Sequence, residues 1–122
     1  MTTTEVLKIN IDGERSMAVV PRVKVVITGA TAEVAGYIHV VVTRIGSDTV
    51  NHYEILVESW GVNVKKDELQ QKINSVAAKA KEKAEEYIDA LKAVLELGAD
   101  VTFKDGTAHK SWLPEWLRKH IE

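Results

Sequence analysis

The 122-residue chain contains four histidines, His39, His52, His109 and His120, and no cysteine. Imidazole titrates near neutral pH and ligates metals, so His52 and Glu54, two apart on one strand face, are of the right types for general acid–base work or metal binding. A third ligand at metal spacing is missing, and neighbours of this kind arise by chance on any strand. The histidines therefore read as structural or solvent-facing groups. Glu54 and Glu58 lie four apart on one strand, about 13 Å, too far for a retaining glycosidase pair and longer than the usual inverting separation. The lack of cysteine excludes disulfides, thiolate nucleophiles and cysteine-held zinc or iron–sulfur centres. The glycines are scattered as turn formers, with neither a phosphate-binding run nor a nucleophile elbow. The expectation is a protein that is not an enzyme, with no catalytic, cofactor-binding or metal-binding residue.

Composition narrows the class. At 45% hydrophobic and 28% charged residues, the chain can bury a core as a single domain, residues 1–122. The 16 basic residues against 18 acidic ones leave a formal net charge of −2, which argues against bulk nucleic-acid binding through the overall field. No apolar run approaches the roughly 20 residues that span a bilayer, and Met1 to Glu5 lack the features of a signal peptide. A cytoplasmic protein with no membrane partner is expected.

Residues 1–61 read as a β-meander. Val6 to Asp12 alternates apolar and polar, and runs over 16–28, 32–45 and 50–60 follow, separated by Gly29-Ala30 and by Gly46 to Thr49. A two-residue Gly29-Ala30 turn sets Val25 opposite Val34, Val19 opposite Val40 and Met17 opposite Val42. Pairing Ile45 with Val50 sets Val42 opposite Tyr53, Val40 opposite Ile55 and Ile38 opposite Val57. Both registers gather one apolar face: Met17, Val19, Val23, Val25, Ile27, Val34, Ile38, Val40, Val42, Tyr53, Ile55 and Val57. The first strand has two registers. A two-residue Asp12-Gly13 turn sends Leu7 and Ile9 to the other face, and a three-residue loop sends them to the core. Pro21 cannot donate to a ladder and marks a bulge or an unpaired edge.

Residues 62–98 carry a helical stripe of Leu69, Ile73, Val76, Ala80, Ala84, Tyr87, Ile88, Leu91 and Leu95, with Asn63 as its cap, Glu68/Lys72 as a surface pair and Gly98 as its stop. Such a helix, on the order of 50 Å long, covers strands of about 36–46 Å lengthwise, with Ala77, Ala80 and Ala84 allowing close approach. In the tail, 99–122, Val101 to Phe103 is a candidate fifth strand and Ser111 a candidate cap for a last helix. That helix would carry Trp112, Leu113, Trp116, Leu117, His120 and Ile121 on one side. The fold class is α+β: a four-stranded antiparallel meander covered by one long helix, with a short C-terminal strand and helix.

The second sheet face is mixed. The same registers give rows of Val20, His39 and Leu56, of Arg22, Tyr37 and Glu58, and of Lys24, Ala35 and Trp60. This is too apolar to be left in water and too charged for a dry core. Arg22, Lys24, Tyr37 and Trp60 suit single-stranded nucleic acid, but Glu33, Glu54 and Glu58 on the same face oppose it. The face fits a protein interface, with Val20, Arg22, Tyr37, His39, Leu56, Glu58 and Trp60 as candidates, joined by Trp112 and Trp116. The C-terminal helix docking on its own sheet is the competing reading.

The expected function is a non-catalytic protein-interaction or assembly subunit, homo-oligomeric, of a kind found among structural or accessory proteins of viruses and mobile elements. Its partners would be itself and another polypeptide. The element order also resembles that of the SecB-type export chaperones, whose tetramers hold unfolded chains in apolar grooves. That resemblance is one of topology, carries no motif, and implies a holdase as the alternative. A second alternative is a small enzyme using His52, Glu54 or His39 on the mixed face.

Overall fold

The structure, a computed structural model, describes residues 6–121. Five strands, β1 (Leu7–Asn10), β2 (Arg15–Thr28), β3 (Thr31–Arg44), β4 (Thr49–Asn63) and β5 (Thr107–His109), form one antiparallel sheet in sequence order. Helix α1 (Lys66–Glu96) lies between β4 and β5, and a 3-10 turn (Lys110–Trp112) leads to the short α2 (Glu115–Arg118). The architecture is the expected α+β meander under a long helix. No helix among the described residues is long and apolar enough to cross a membrane.

The β2–β3 hairpin follows the register dictated by its glycine. Gly29 adopts a φ of 62°, and the ladder runs unbroken from Thr28/Thr31 through Val25/Val34 and Met17/Val42 to Arg15/Arg44. In β1 the three-residue loop wins, with Leu7 opposite Val19 and Ile9 opposite Met17. Asp12 decides this: its carboxylate accepts the N–H groups of Glu14 and Arg15 and pairs with the Arg15 guanidinium at 2.9 Å, closing the loop around itself. Pro21 lies just past the last β1/β2 pair, Leu7/Val19, where its missing N–H breaks no bond to β1.

The β3–β4 hairpin departs from expectation twice. Its loop is Ile45 to Asp48, one residue earlier, because the Ile45 N–H continues the β2–β3 ladder to the Glu14 carbonyl, Gly46 turns at φ 77° and Ser47 Oγ accepts the Thr49 N–H. Val42 is therefore opposite Asn51, Val40 opposite Tyr53 and Ile38 opposite Ile55. Next to Gly36 the register then shifts by one. Tyr37 pairs with Leu56 and Gly36 with Glu58, so Val57 is an extra residue in β4, a β-bulge. Every later residue of β4 changes face, and Trp60 moves to the α1 side.

Helix α1 buries Val76, Ala80, Ala84 and Ile88, and its flanking Tyr87 and Leu91 pack on Met17, Val19, Ile38, Val40 and Val42. Ala80 and Ala84 allow the close approach, whereas Ala77 faces solvent. The approach is closest at Gly36, where a Cβ would stand 2.8 Å from Val76 Cγ1. The N-cap is Lys65 rather than Asn63, whose carbonyl accepts the Lys65 N–H as β4 ends. Gly98, at φ 74°, stops the helix with its N–H on the Leu95 carbonyl. Lys72 stacks on Trp60 instead of pairing with Glu68, its Nζ 4.3 Å from the ring centroid. Val25, Ile27 and Ile55, expected in the core, lie toward the turn end of the sheet, where α1 leaves them partly exposed.

The fifth strand is Thr107–His109, not Val101–Phe103. Asp105 and Gly106, at φ 64° and 68°, form a left-handed corner that swings the chain onto β4, where Ala108 pairs with Val50. The preceding segment is held through its carbonyls: Arg15 donates to Val101, Tyr53 Oη to Lys104 and Asn51 to Asp105. The last helix is likewise broken in two. The His109 ring accepts the Ser111 N–H, Leu113 is extended before Pro114, and Pro114 occupies the N-cap of α2. Trp112 consequently faces water while Leu113 and Leu117 point inward.

Candidate functional site

The near half of the second sheet face is a small closed core beneath the C-terminal segment. Val20, Val41 and Val50 meet Leu113 and Leu117, with Val6, Ala108, Trp116 and Ile121 around them. Set into this apolar layer is a polar pair. His39 on β3 and His52 on β4 stack with ring centroids 5.3 Å apart, and His39 Nδ1 lies 3.1 Å from His52 Nε2. Trp116 meets His39 edge-on at 5.0 Å, and Arg22 lies over the indole at 3.8 Å.

The true register creates the pair. With Val40 opposite Tyr53, His39 stands opposite Glu54, and His52 opposite Val41 is its diagonal neighbour. Pairing Ile45 with Val50 puts Leu56 beside His39 and leaves His52 with Thr43, so in the expected register His52 has Glu54 as its neighbour and stands apart from His39. The available signal was Gly46, whose left-handed turn moves the loop back by one residue.

Burial drives the electrostatics. At 7% exposure His39 has its pKa lowered to about 4, first by desolvation, against the opposing attraction of Glu54 and with smaller contributions from His52, Arg22 and Lys24. His52 is also lowered by desolvation, opposed by Glu54. Glu54 is engaged by Lys24, Nζ to Oε1 3.5 Å. Both rings are thus neutral at pH 7, one donating and one accepting the single proton between them. Trp116 and the sheet close over His39, so its polar capacity is spent inside the fold. Among the described residues no three His, Asp or Glu side chains gather to hold a metal ion.

The nine interface candidates separate into covered and open sets. Val20 and His39 are buried by the chain's own tail, while Arg22 and Trp116 stack on each other within it. Tyr37 is half-buried with Lys24 Nζ 5.0 Å from its ring. Glu58 is moved by the bulge to face Gly36, out of reach of the expected row with Arg22 and Tyr37. Leu56 is 55% exposed on the second face, Trp60 48% exposed on the α1 face and Trp112 76% exposed beside His109. On the second face beyond the bulge, Ser59 donates to Glu33 instead.

A cleft of about 180 Å³ lies at the other end of the sheet between Arg15, Thr43, Arg44, Asn51 and Phe103. Its charges are committed to the fold. Arg15 pairs with Asp12 and Arg44 with Glu14, and the Asn51 amide holds the Asp105 carbonyl.

No family model, no curated protein and no solved structure matches this chain.

Proposed function

We propose that this protein is a non-catalytic subunit that works by association, with a second copy of itself as its first partner. The observation that carries this reading is the far end of the sheet, past the tail on one face and past the packed part of α1 on the other. There Ile27 is 59% exposed, and Leu56 and Trp60 are about half exposed on opposite faces of the same strand. Water in contact with that much clustered apolar surface favours its burial against another polypeptide. The mixed face supports the same reading more weakly, because its near half is already occupied by Leu113, Trp116 and Leu117 of the same chain.

Sedimentation of the full chain over a wide concentration range tests the proposal. A mass above one chain is expected, and Leu56→Lys, at an exposed position on the open strand, is expected to lower it while leaving the circular dichroism unchanged. A single-chain mass at every concentration would overturn the reading.

A further inference from the structure

We infer that the open edge of β4, from Glu54 to Gly61, pairs antiparallel with the same edge of a second copy about a two-fold axis. This rests on the association reading above and specifies its mode. The direction of the free backbone groups comes from His52, whose N–H points away from β3 to the Gly106 carbonyl at 2.8 Å. Backbone groups alternate sides along a strand, so Glu54 and Leu56 also direct theirs outward. The extra residue Val57 resets the alternation, and beyond it Ser59 and Gly61 point outward. Among the described residues none of these four amides has a backbone partner, since β5 pairs only with Thr49 to Asn51.

The bulge selects the partner. A regular strand in register on one side of Val57 falls out of register on the other, which is how bulges protect edges. A strand with the same extra residue stays in step on both sides. The two-fold that sets Leu56 opposite Ser59 and Glu54 opposite Gly61 joins outward amides to outward carbonyls throughout. Charge selects the same register, because Glu58 then faces Val57 and Glu54 faces glycine. Centring the axis on Leu56 would instead oppose Glu54 to Glu58. On the α1 face this register brings Trp60 of each copy against Ile55 of the other, both partly exposed in the single chain.

The native chain has no cysteine, so introduced thiols report the register directly. Ile55 and Trp60 would be a non-hydrogen-bonded pair, with Cα atoms about 4.5 Å apart and within disulfide reach. Mixing Ile55→Cys with Trp60→Cys under mild oxidation is expected to give a cross-linked heterodimer in excess over either homodimer. Leu56→Cys with Ser59→Cys reads the same register should loss of Trp60 weaken the dimer. Ser59→Pro, which removes an outward N–H and no backbone bond to β3, losing there only the side-chain bond to Glu33, is expected to weaken association about tenfold or more. A dimer that Leu56→Lys dissolves but in which neither cysteine pair cross-links would overturn edge pairing and leave the association reading standing. A wild-type chain that never dimerises would overturn both. If Ser59→Pro does not fold, the cross-links decide alone.

Discussion

His39 Nδ1 and His52 Nε2 stand 3.1 Å apart with one proton between them, under the edge of Trp116. A second proton at this contact would oppose two N–H groups and make one ring a cation inside an apolar layer, with Arg22 and Lys24 adding repulsion and Glu54 already engaged by Lys24. The neutral form is the folded form. His39 titrates at about 4 in the fold against an ordinary 6.5, so its contribution is fully present above about pH 6.5 and is lost as pH falls from there through 4. That difference corresponds to about 3 kcal/mol. Urea unfolding at a series of pH values should show the decline, with Trp116 emission shifting red before the far-UV signal is lost. The His39→Gln/His52→Gln double variant should flatten the dependence between pH 6.5 and 4, and an unaltered slope would assign the effect to other groups.

Gly36→Ala should test the contact that seats α1. The new methyl meets Val76 Cγ1 at 2.8 Å and the Val76 carbonyl at 3.3 Å, so overpacking should cost about 1–3 kcal/mol. Val76→Ala removes the obstructing methyls. The double variant should lose less stability in urea than the two single losses combined, and simple additivity would show that the contact relaxes at no cost.

Leu117→Ala removes the largest fully buried side chain of the C-terminal segment. The expected loss is about 2–5 kcal/mol. Because α2 is a single turn anchored by Leu113 and Leu117, the segment should detach before the sheet unfolds, giving fast hydrogen exchange at Ala108 and Lys110 while Val40 stays protected. Cooperative loss of all protection together would show instead that the segment is integral to the global unit.

Gly106→Ala should be costly for two reasons at one site. Its φ of 68° disfavours any Cβ, and that Cβ would lie 2.8 Å from the His52 carbonyl and from the Tyr53 ring. The Gly106 carbonyl accepts the His52 N–H, so strain there should also disturb the histidine pair. A loss of about 1–3 kcal/mol with a shifted His52 ring resonance is expected; an unshifted resonance would uncouple corner from pair.

The architecture was legible because its signals were local and redundant: alternation in β2 and β3, a glycine fixing their turn, and a helical stripe ending at Gly98. The β3–β4 pairing was not, because two four-residue loops one position apart both keep Val40 and Val42 on the same face. The left-handed turn at Gly46 and the bond from Ile45 to Glu14, in the β1–β2 loop outside the hairpin, separate them. The bulge was hidden for a related reason. Gly36 shows a missing side chain, but the need for it comes from Val76, forty positions away on α1. The histidine pair inherits the first of these errors, since it lies on the loop side of the bulge. The competition between the tail and a partner for the mixed face was visible, yet its outcome depended on Leu113 and Leu117 turning inward after Pro114.

Val57 has one more implication, for how such a molecule diversifies. Deleting this one codon would leave Leu56 opposite Tyr37, Glu58 opposite Gly36 and Trp60 beside Lys72, and would close the ladder without the extra residue. An in-frame loss of three bases, with no new side chain and no changed loop, would thus yield a descendant with an uninterrupted edge, which any regular strand could join and which would fall out of step with its parent.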